Sequence, residues 1–217
     1  ICKFVYTLFH FYKNNLKIGQ YKHLIVSPFT MRQEFIKLIH KEIKNAQKGL
    51  KAGITIKLNN LVDKEMIHHL YKASQAGVPV CLIIRSACSL VTQLPGYSDN
   101  IEAYSIVDKY LEHARILLFH NNGHEKIFIS SADWMTRNLD HRSEVATPIY
   151  NETIKKIIKK ILHIQQTDNQ KTRIIDRHQT NQYKLKKPDE PIIRAQEKIY
   201  DYLQQLALQS DTKPSLL

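Results

Sequence analysis

The chain has 217 residues, 43% of them hydrophobic, so it can bury a sizeable core and is too apolar for a disordered tail. Lysine and arginine outnumber aspartate and glutamate 32 to 20, a formal charge of +12 that favours an anionic partner such as a phosphate polymer, nucleotide, nucleic acid or acidic membrane. The three cysteines, Cys2, Cys81 and Cys88, form no CxxC pair and suit a reducing cytosol better than a disulfide framework, which predicts a cytoplasmic protein.

The opening "ICKFVYTLFHFY" is apolar but interrupted by Lys3 and His10 and is too short to span a bilayer. It reads as the last turns of a packed helix, and the initial isoleucine suggests a piece of something longer. "HLIVSPF" (23–29) reads as a buried strand. "TMRQEFIKLIHKEIKNAQKG" (30–49) reads as a helix with Thr30 and Gln33 in capping-box spacing and Gly49 at its end. "ITIKLNN" (54–60) is a second strand, Asp63 caps a helix over 64–76 that Gly77 ends, and "VPVCLIIR" (78–85) is a third strand finishing on Arg85. This β-α-β-α-β order predicts parallel strands joined by right-handed crossovers, with ligands gathering at their carboxyl ends, where Asn59, Asn60 and Arg85 lie.

Beyond residue 100 the texture changes. "IEAYSIV", "ARILLFH", "KIFISSA" and "EVATPIY" are short strands linked by turns such as "NNGH", which predicts hairpin-like additions and a mixed sheet. In "NETIKKIIKKILHI" the residues Ile154, Ile157, Ile158, Ile161 and Leu162 share one helical face and Lys155, Lys156, Lys159 and Lys160 the other. A packed helix with a solvated basic face is the first reading, and docking on a membrane or polyanion the second. "TRIIDR" and "NQYKLKK" look like a hairpin, 193–209 a closing helix after Pro191, and 210–217 a frayed tail.

Polar residues concentrate in three places: at Arg85, at the pair His113 and Arg115, and in "SSADWMTRNLDHRSE" from Ser130 to Glu144. Strand alternation puts His113, Arg115, Leu117 and Phe119 on one face, with Glu112 beside them. Arginine binds phosphate oxygens in pairs and keeps its charge, so Arg85, Arg115, Arg137 and Arg142 together could neutralise a polyphosphate group. A histidine beside them can act as general acid, general base or nucleophile, a combination suited to phosphoryl transfer. The competing reading pairs Arg137 and Arg142 with Asp133, Asp140 and Glu144 in a structural network and leaves His113 a satisfied strand histidine. A metal site at His120 and His124 lacks further ligands, and neither a GxxxxGK[ST] nor a GxGxxG motif is present.

The stretches "LIVSPFTMRQ", "LNNLVD", "YKASQAGVPVCLIIR", "LPGYSDNI", "FHNNGHEKIFISSADWMTRNLDHR" and "RAQEKIYDYL" resemble, in order, the carboxyl-terminal part of the bacterial polyphosphate kinases of the first type. "SSADWMTRNLD" is the most specific of them. The resemblance implies an α/β fold like that of phospholipase D, a mixed β-sheet flanked by helices on both faces. It divides the chain into residues 1–22, the terminal helix of a preceding phospholipase D-like domain that lies upstream; 23–209, the carboxyl-terminal phospholipase D-like catalytic domain; and the tail 210–217.

By the same resemblance the activity is reversible transfer of the ATP terminal phosphate to inorganic polyphosphate through a phosphohistidine in the upstream domain. His113 then falls on the family's second active-site histidine, Arg85 on its nucleotide-contacting arginine and Arg142 on an arginine near the phosphates, with Arg115 and Arg137 supporting and no metal ligand in this chain. ATP enters with Mg2+, whose ligands come mostly from the upstream portion. The implied partners are ATP or ADP, inorganic polyphosphate, the amino-terminal portion of the enzyme and further copies in a homo-oligomer. Nucleic acid is not among them, and peripheral membrane contact stays open. Alone, the chain is expected to be incomplete and inactive.

Ser86 stands where the family usually has glycine, and Val91 where another arginine is usual, which removes a basic group and some backbone freedom. Two other functions therefore compete: a non-catalytic polyphosphate- or nucleotide-binding remnant, and a phospholipase D-like phosphodiesterase. The latter class wants a lysine two residues after its catalytic histidine, and Arg115 occupies that position.

Overall fold

A computed structural model of the chain describes Tyr6, Phe9 and residues 21–211. Its elements in chain order are β1 (Ile25–Ser27), α1 (Met31–Gln47), β2 (Ile54–Leu58), α2 (Lys64–Gln75), β3 (Val80–Ile84), β4 (Ile101–Ile106), β5 (Arg115–Phe119) and β6 (Lys126–Ser130). They continue with β7 (Glu144–Ile149), α3 (Glu152–Thr167), β8 (Thr172–Ile174) and α4 (Ala195–Asp211). Tyr6 and Phe9 are helical and exposed. The rest of the expected terminal helix to residue 20, Cys2 and tail residues 212–217 lie outside the described residues. Residues 21 and 22 are not helical, and α4 runs past the expected tail boundary at 210.

The strands form one mixed sheet in the order β1-β7-β6-β5-β2-β3-β4-β8. β2, β3 and β4 are parallel, and every other pairing is antiparallel. Three expectations change. β1 does not neighbour β2 but pairs with β7, because the β5-β6-β7 meander inserts between them. β4 is a third parallel strand rather than part of the hairpin series. The expected hairpin of "TRIIDR" and "NQYKLKK" is reduced to a bridge between Arg173 and Tyr183, since β8 makes its ladder with β4.

Helices cover both faces. Alternation along β2 and β3 sends Ile54, Ile56, Leu58, Val80, Leu82 and Ile84 against Met31, Phe35 and Ile39 of α1 and Met66, Leu70 and Ala73 of α2. Ile83, Ile106, Ile116 and Ile127 meet Ile158 and Leu162 of α3 and Ala195 of α4 on the other face. Asp63 caps α2 by accepting from the N–H of Met66 at 3.1 Å, and Gly49 and Gly77 take positive φ just past their helices, as expected. The capping box at Thr30 does not form. Its hydroxyl faces Val26 instead, and α1 has no side-chain cap.

On α3, Ile158 and Leu162 are buried and Ile154 stays exposed. Lys155 pairs with Glu152 and Lys159 with Glu125, which occupies half of the basic face. Among the described residues no helix is long and apolar enough to cross a membrane. Cys81 and Cys88 are free, and burial pushes the Cys81 thiol up to about 12.

Candidate functional site

Strand direction brings the polar residues together. β2 and β3 end where β5 and β7 begin, so Asn59, Asn60, Arg85, Arg115, Ser130 and Glu144 all stand at one edge of five consecutive strands. The loop 131–143, which carries Arg137 and Arg142, rises from that edge. It is laid down on the end of β2: the Trp134 N–H donates to the Asn60 carbonyl at 3.1 Å, and the Val62 and Asp63 N–H groups donate to the Trp134 carbonyl at 3.0 Å. The Trp134 ring is fully buried, 5.8 Å from Phe35.

His113 lies just before β5, not within it, and is exposed. The face expected from alternation holds for Arg115, Leu117 and Phe119 only; the histidine is freed from the ladder because β5 starts at Arg115. The Arg115 guanidinium lies along the imidazole, Nη1 3.3 Å from Nδ1 and Nη2 3.2 Å from Nε2, and Nη1 also donates to the His113 carbonyl at 3.1 Å. Arg115 is in turn held by Asp133, whose Oδ1 is 3.3 Å from Nε.

Asp133 is nearly buried and accepts from the backbone N–H groups of Asn59 (2.8 Å) and Asn60 (3.2 Å) and from the Asn60 side chain (3.1 Å). Burial by itself would raise this carboxyl, but Arg115 and the two asparagines prevail and hold it below the usual range.

The remaining arginines are freer. Arg85 is half-buried, and its Nε donates to the Asn59 side-chain oxygen at 3.0 Å. Arg137 and Arg142 are exposed, and among the described residues neither side chain meets a carboxylate. The expected pairing of Arg137 and Arg142 with Asp133, Asp140 and Glu144 is therefore corrected. Asp133 takes Arg115, Glu144 accepts from Ser131 and from Asn138 at 2.7 Å, and Asp140 takes Arg32.

Arg32 was not singled out from the sequence, since one arginine in a helical first turn carries no signal. It bridges Asp63 at 2.7 Å, Asp140 at 2.5 Å and Glu65 at 2.8 Å, locking α1, α2 and the 131–143 loop. Burial would raise the Asp63 carboxyl, yet bonds from Arg32, Met66 and Thr136 bring it down to about 2.

The carboxylates at this edge do not fit a magnesium cage, because Asp133 and Glu144 already accept several donors and among the described residues no three metal-ligating side chains cluster. Ser86, expected to cost backbone freedom, is not among the residues with positive φ; its N–H donates to the Asn59 carbonyl at 2.8 Å in an ordinary conformation. Val91 is held through its backbone by the Tyr71 hydroxyl.

Residues 24–196 match the family model described as polyphosphate kinase C-terminal domain 2. The chain is 48% identical over 206 residues to the polyphosphate kinase of Vibrio cholerae, covering 95% of this chain and 29% of that protein. It is 46% identical over 202 residues to the Escherichia coli polyphosphate kinase, covering 93% and 29%. It thus spans under a third of the length of these relatives. The crystal structure of polyphosphate kinase from Porphyromonas gingivalis superposes with a TM-score of 0.91 at 42% identity, over 94% of this chain and 31% of that one. Nuc from Salmonella typhimurium, a phospholipase D family member, is similar in fold alone: TM-score 0.50 at 16% identity, over 70% of this chain and 96% of that one.

Proposed function

Because the chain belongs to the polyphosphate kinase C-terminal domain 2 family, we propose that it forms one wall of the active site of an ATP–polyphosphate phosphotransferase. On this reading residues 23–209 are the carboxyl-terminal catalytic domain, 1–22 the end of the domain before it and 210–217 a tail. The observation that carries it is an exposed histidine aligned by Arg115 at the same sheet edge from which rise Arg85, Arg137 and Arg142, whose side chains meet no carboxylate among the described residues.

Apart from the covalent step at the upstream histidine, phosphoryl transfer asks the protein for little bond-making of its own. Most of the work is positioning and neutralising charge on phosphate oxygens. Arg142 and Arg85 would bind nucleotide and polymer phosphates, with Arg137 in support. Arg85, tethered through Nε, keeps its terminal nitrogens for a phosphate. His113 would donate to, or bind, the phosphate in transit. Arg115, committed to Asp133, acts by orienting His113 rather than by touching substrate.

The nucleotide would enter as its magnesium complex, and the histidine that is transiently phosphorylated would come from the amino-terminal portion, so this chain alone is inactive. Assembly as a homo-oligomer and a cytoplasmic location follow from the same reading. A phosphodiesterase is the weaker alternative: in place of the lysine that chemistry uses two residues after the histidine stands Arg115, already engaged with a carboxylate.

The test is ATP-dependent polyphosphate synthesis by the purified chain, with and without a separately expressed amino-terminal portion of a polyphosphate kinase. Synthesis only in the mixture is expected. No synthesis in either, with ATP or polyphosphate binding retained, would leave a binding remnant, and turnover of a generic phosphodiester would favour the alternative.

A further inference from the structure

Lys57 has no place in an apolar strand unless something answers its charge. In β2, Ile54, Ile56 and Leu58 face the α1–α2 layer, which turns Lys57 toward the α3–α4 side, where it is 6% exposed. A buried ammonium must be paired, and its partner is Glu112, 2.6 Å from Nζ. The Glu112 carboxylate also accepts from the Gln165 amide of α3 and, at 3.2 Å, from the Gln196 amide of α4. Gln196 brackets the same loop, accepting from the Tyr110 N–H at 2.9 Å and donating to its carbonyl at 2.8 Å.

One sheet strand and two helices therefore converge on residues 110–112, just before His113. Two residues after it, Arg115 is anchored separately to Asp133. The exposed imidazole hangs between two fixed points. We infer that Lys57, Glu112 and Gln196 are positioning residues, a buried polar clamp that aims His113 at the phosphate being transferred. The inference rests on the function proposed above. A clamp that only glued α3 and α4 to the sheet would affect stability and leave the chemical step unchanged.

The experiment uses this chain assembled with the amino-terminal portion of a polyphosphate kinase and compares Glu112→Ala, Glu112→Gln, Gln196→Ala and His113→Ala. Displacing a reacting group by an ångström can cost about 100-fold, so Glu112→Ala and Gln196→Ala should lower kcat by about 10- to 100-fold while KM for ATP stays within about twofold. Glu112→Gln, which keeps an acceptor for Lys57, should retain more activity than Glu112→Ala. The ring signals of His113 in a 15N-histidine-labelled chain should broaden or shift in the two alanine variants.

Should Glu112→Ala fail to fold, Gln196→Ala decides, because Gln196 is only half-buried and its removal strands no charge. Folded alanine variants with kcat within about twofold of the parent, or with a change in KM alone, would overturn the clamp while leaving the kinase reading intact. Near-normal synthesis by His113→Ala would instead remove His113 from the chemistry and the clamp with it, and no synthesis by the parent assembly would sink the kinase reading.

Discussion

The two terminal nitrogens of Arg115 face the two ring nitrogens of His113, at 3.3 and 3.2 Å. An imidazole accepts at one nitrogen at most, so the paired approach is a stacking of guanidinium along ring rather than two hydrogen bonds. Together they fix the plane of a side chain that no strand ladder restrains.

His113→Ala in the assembled enzyme should reduce ATP-dependent polymer synthesis by about 100-fold or more, the usual contribution of a general acid or phosphate-binding group. The residue is exposed, so thermal unfolding should be unchanged. Synthesis rates and a melting curve on the same preparation check both halves, and near-normal synthesis would remove His113 from the chemistry.

Arg142→Ala should weaken ATP or polyphosphate binding by about tenfold, roughly one charge-assisted contact, and the loss should shrink at high salt. Its side chain holds no carboxylate among the described residues, so stability should move by less than about 0.5 kcal/mol. Arg85→Ala should weaken binding similarly but also cost some stability, because it frees the Asn59 side chain. Titrations at two salt concentrations separate the cases, and unchanged affinity for both would point to a purely structural role.

Arg32→Met should destabilise the fold by about 3 to 5 kcal/mol, since it leaves Asp63, 3% exposed, without its countercharge. Chemical denaturation measures this directly, and a loss below about 1 kcal/mol would show that Arg32 is dispensable.

The same pair predicts an acid response. Asp63 titrates at about 2 when folded against 3.8 when free, so it binds fewer protons in the folded state and contributes stability above about pH 4. That contribution, about 2 kcal/mol, is lost as pH falls from about 4 through 2. Unfolding free energies across this window should fall in the parent and fall less in Arg32→Met; parallel curves would contradict the linkage.

The apolar periodicities of residues 54–58 and 80–84, the cap at Asp63 and the stop at Gly77 are local, and the sequence by itself determined those elements. It also determined that Arg85, His113 and the 130–144 segment carry more polarity than a core needs, and its motif pattern located the family. Strand order was not local. Nothing in "HLIVSPF" specifies that β1 pairs with β7 across the sheet, because a strand's partner depends on how the later meander fills the intervening positions.

Which carboxylate meets which arginine was equally invisible. Asp133 and Asp140 lie near Arg137 and Arg142 in sequence, yet they take Arg115 and Arg32, whose strand and helix present guanidinium groups at the required distance. Lys57 looked like an ordinary lysine in a strand, and only the packing of α3 and α4 against that face buried it and brought Glu112 to it. Electrostatic pairing between distant segments is decided by three-dimensional proximity and desolvation, and tertiary structure alone supplies both.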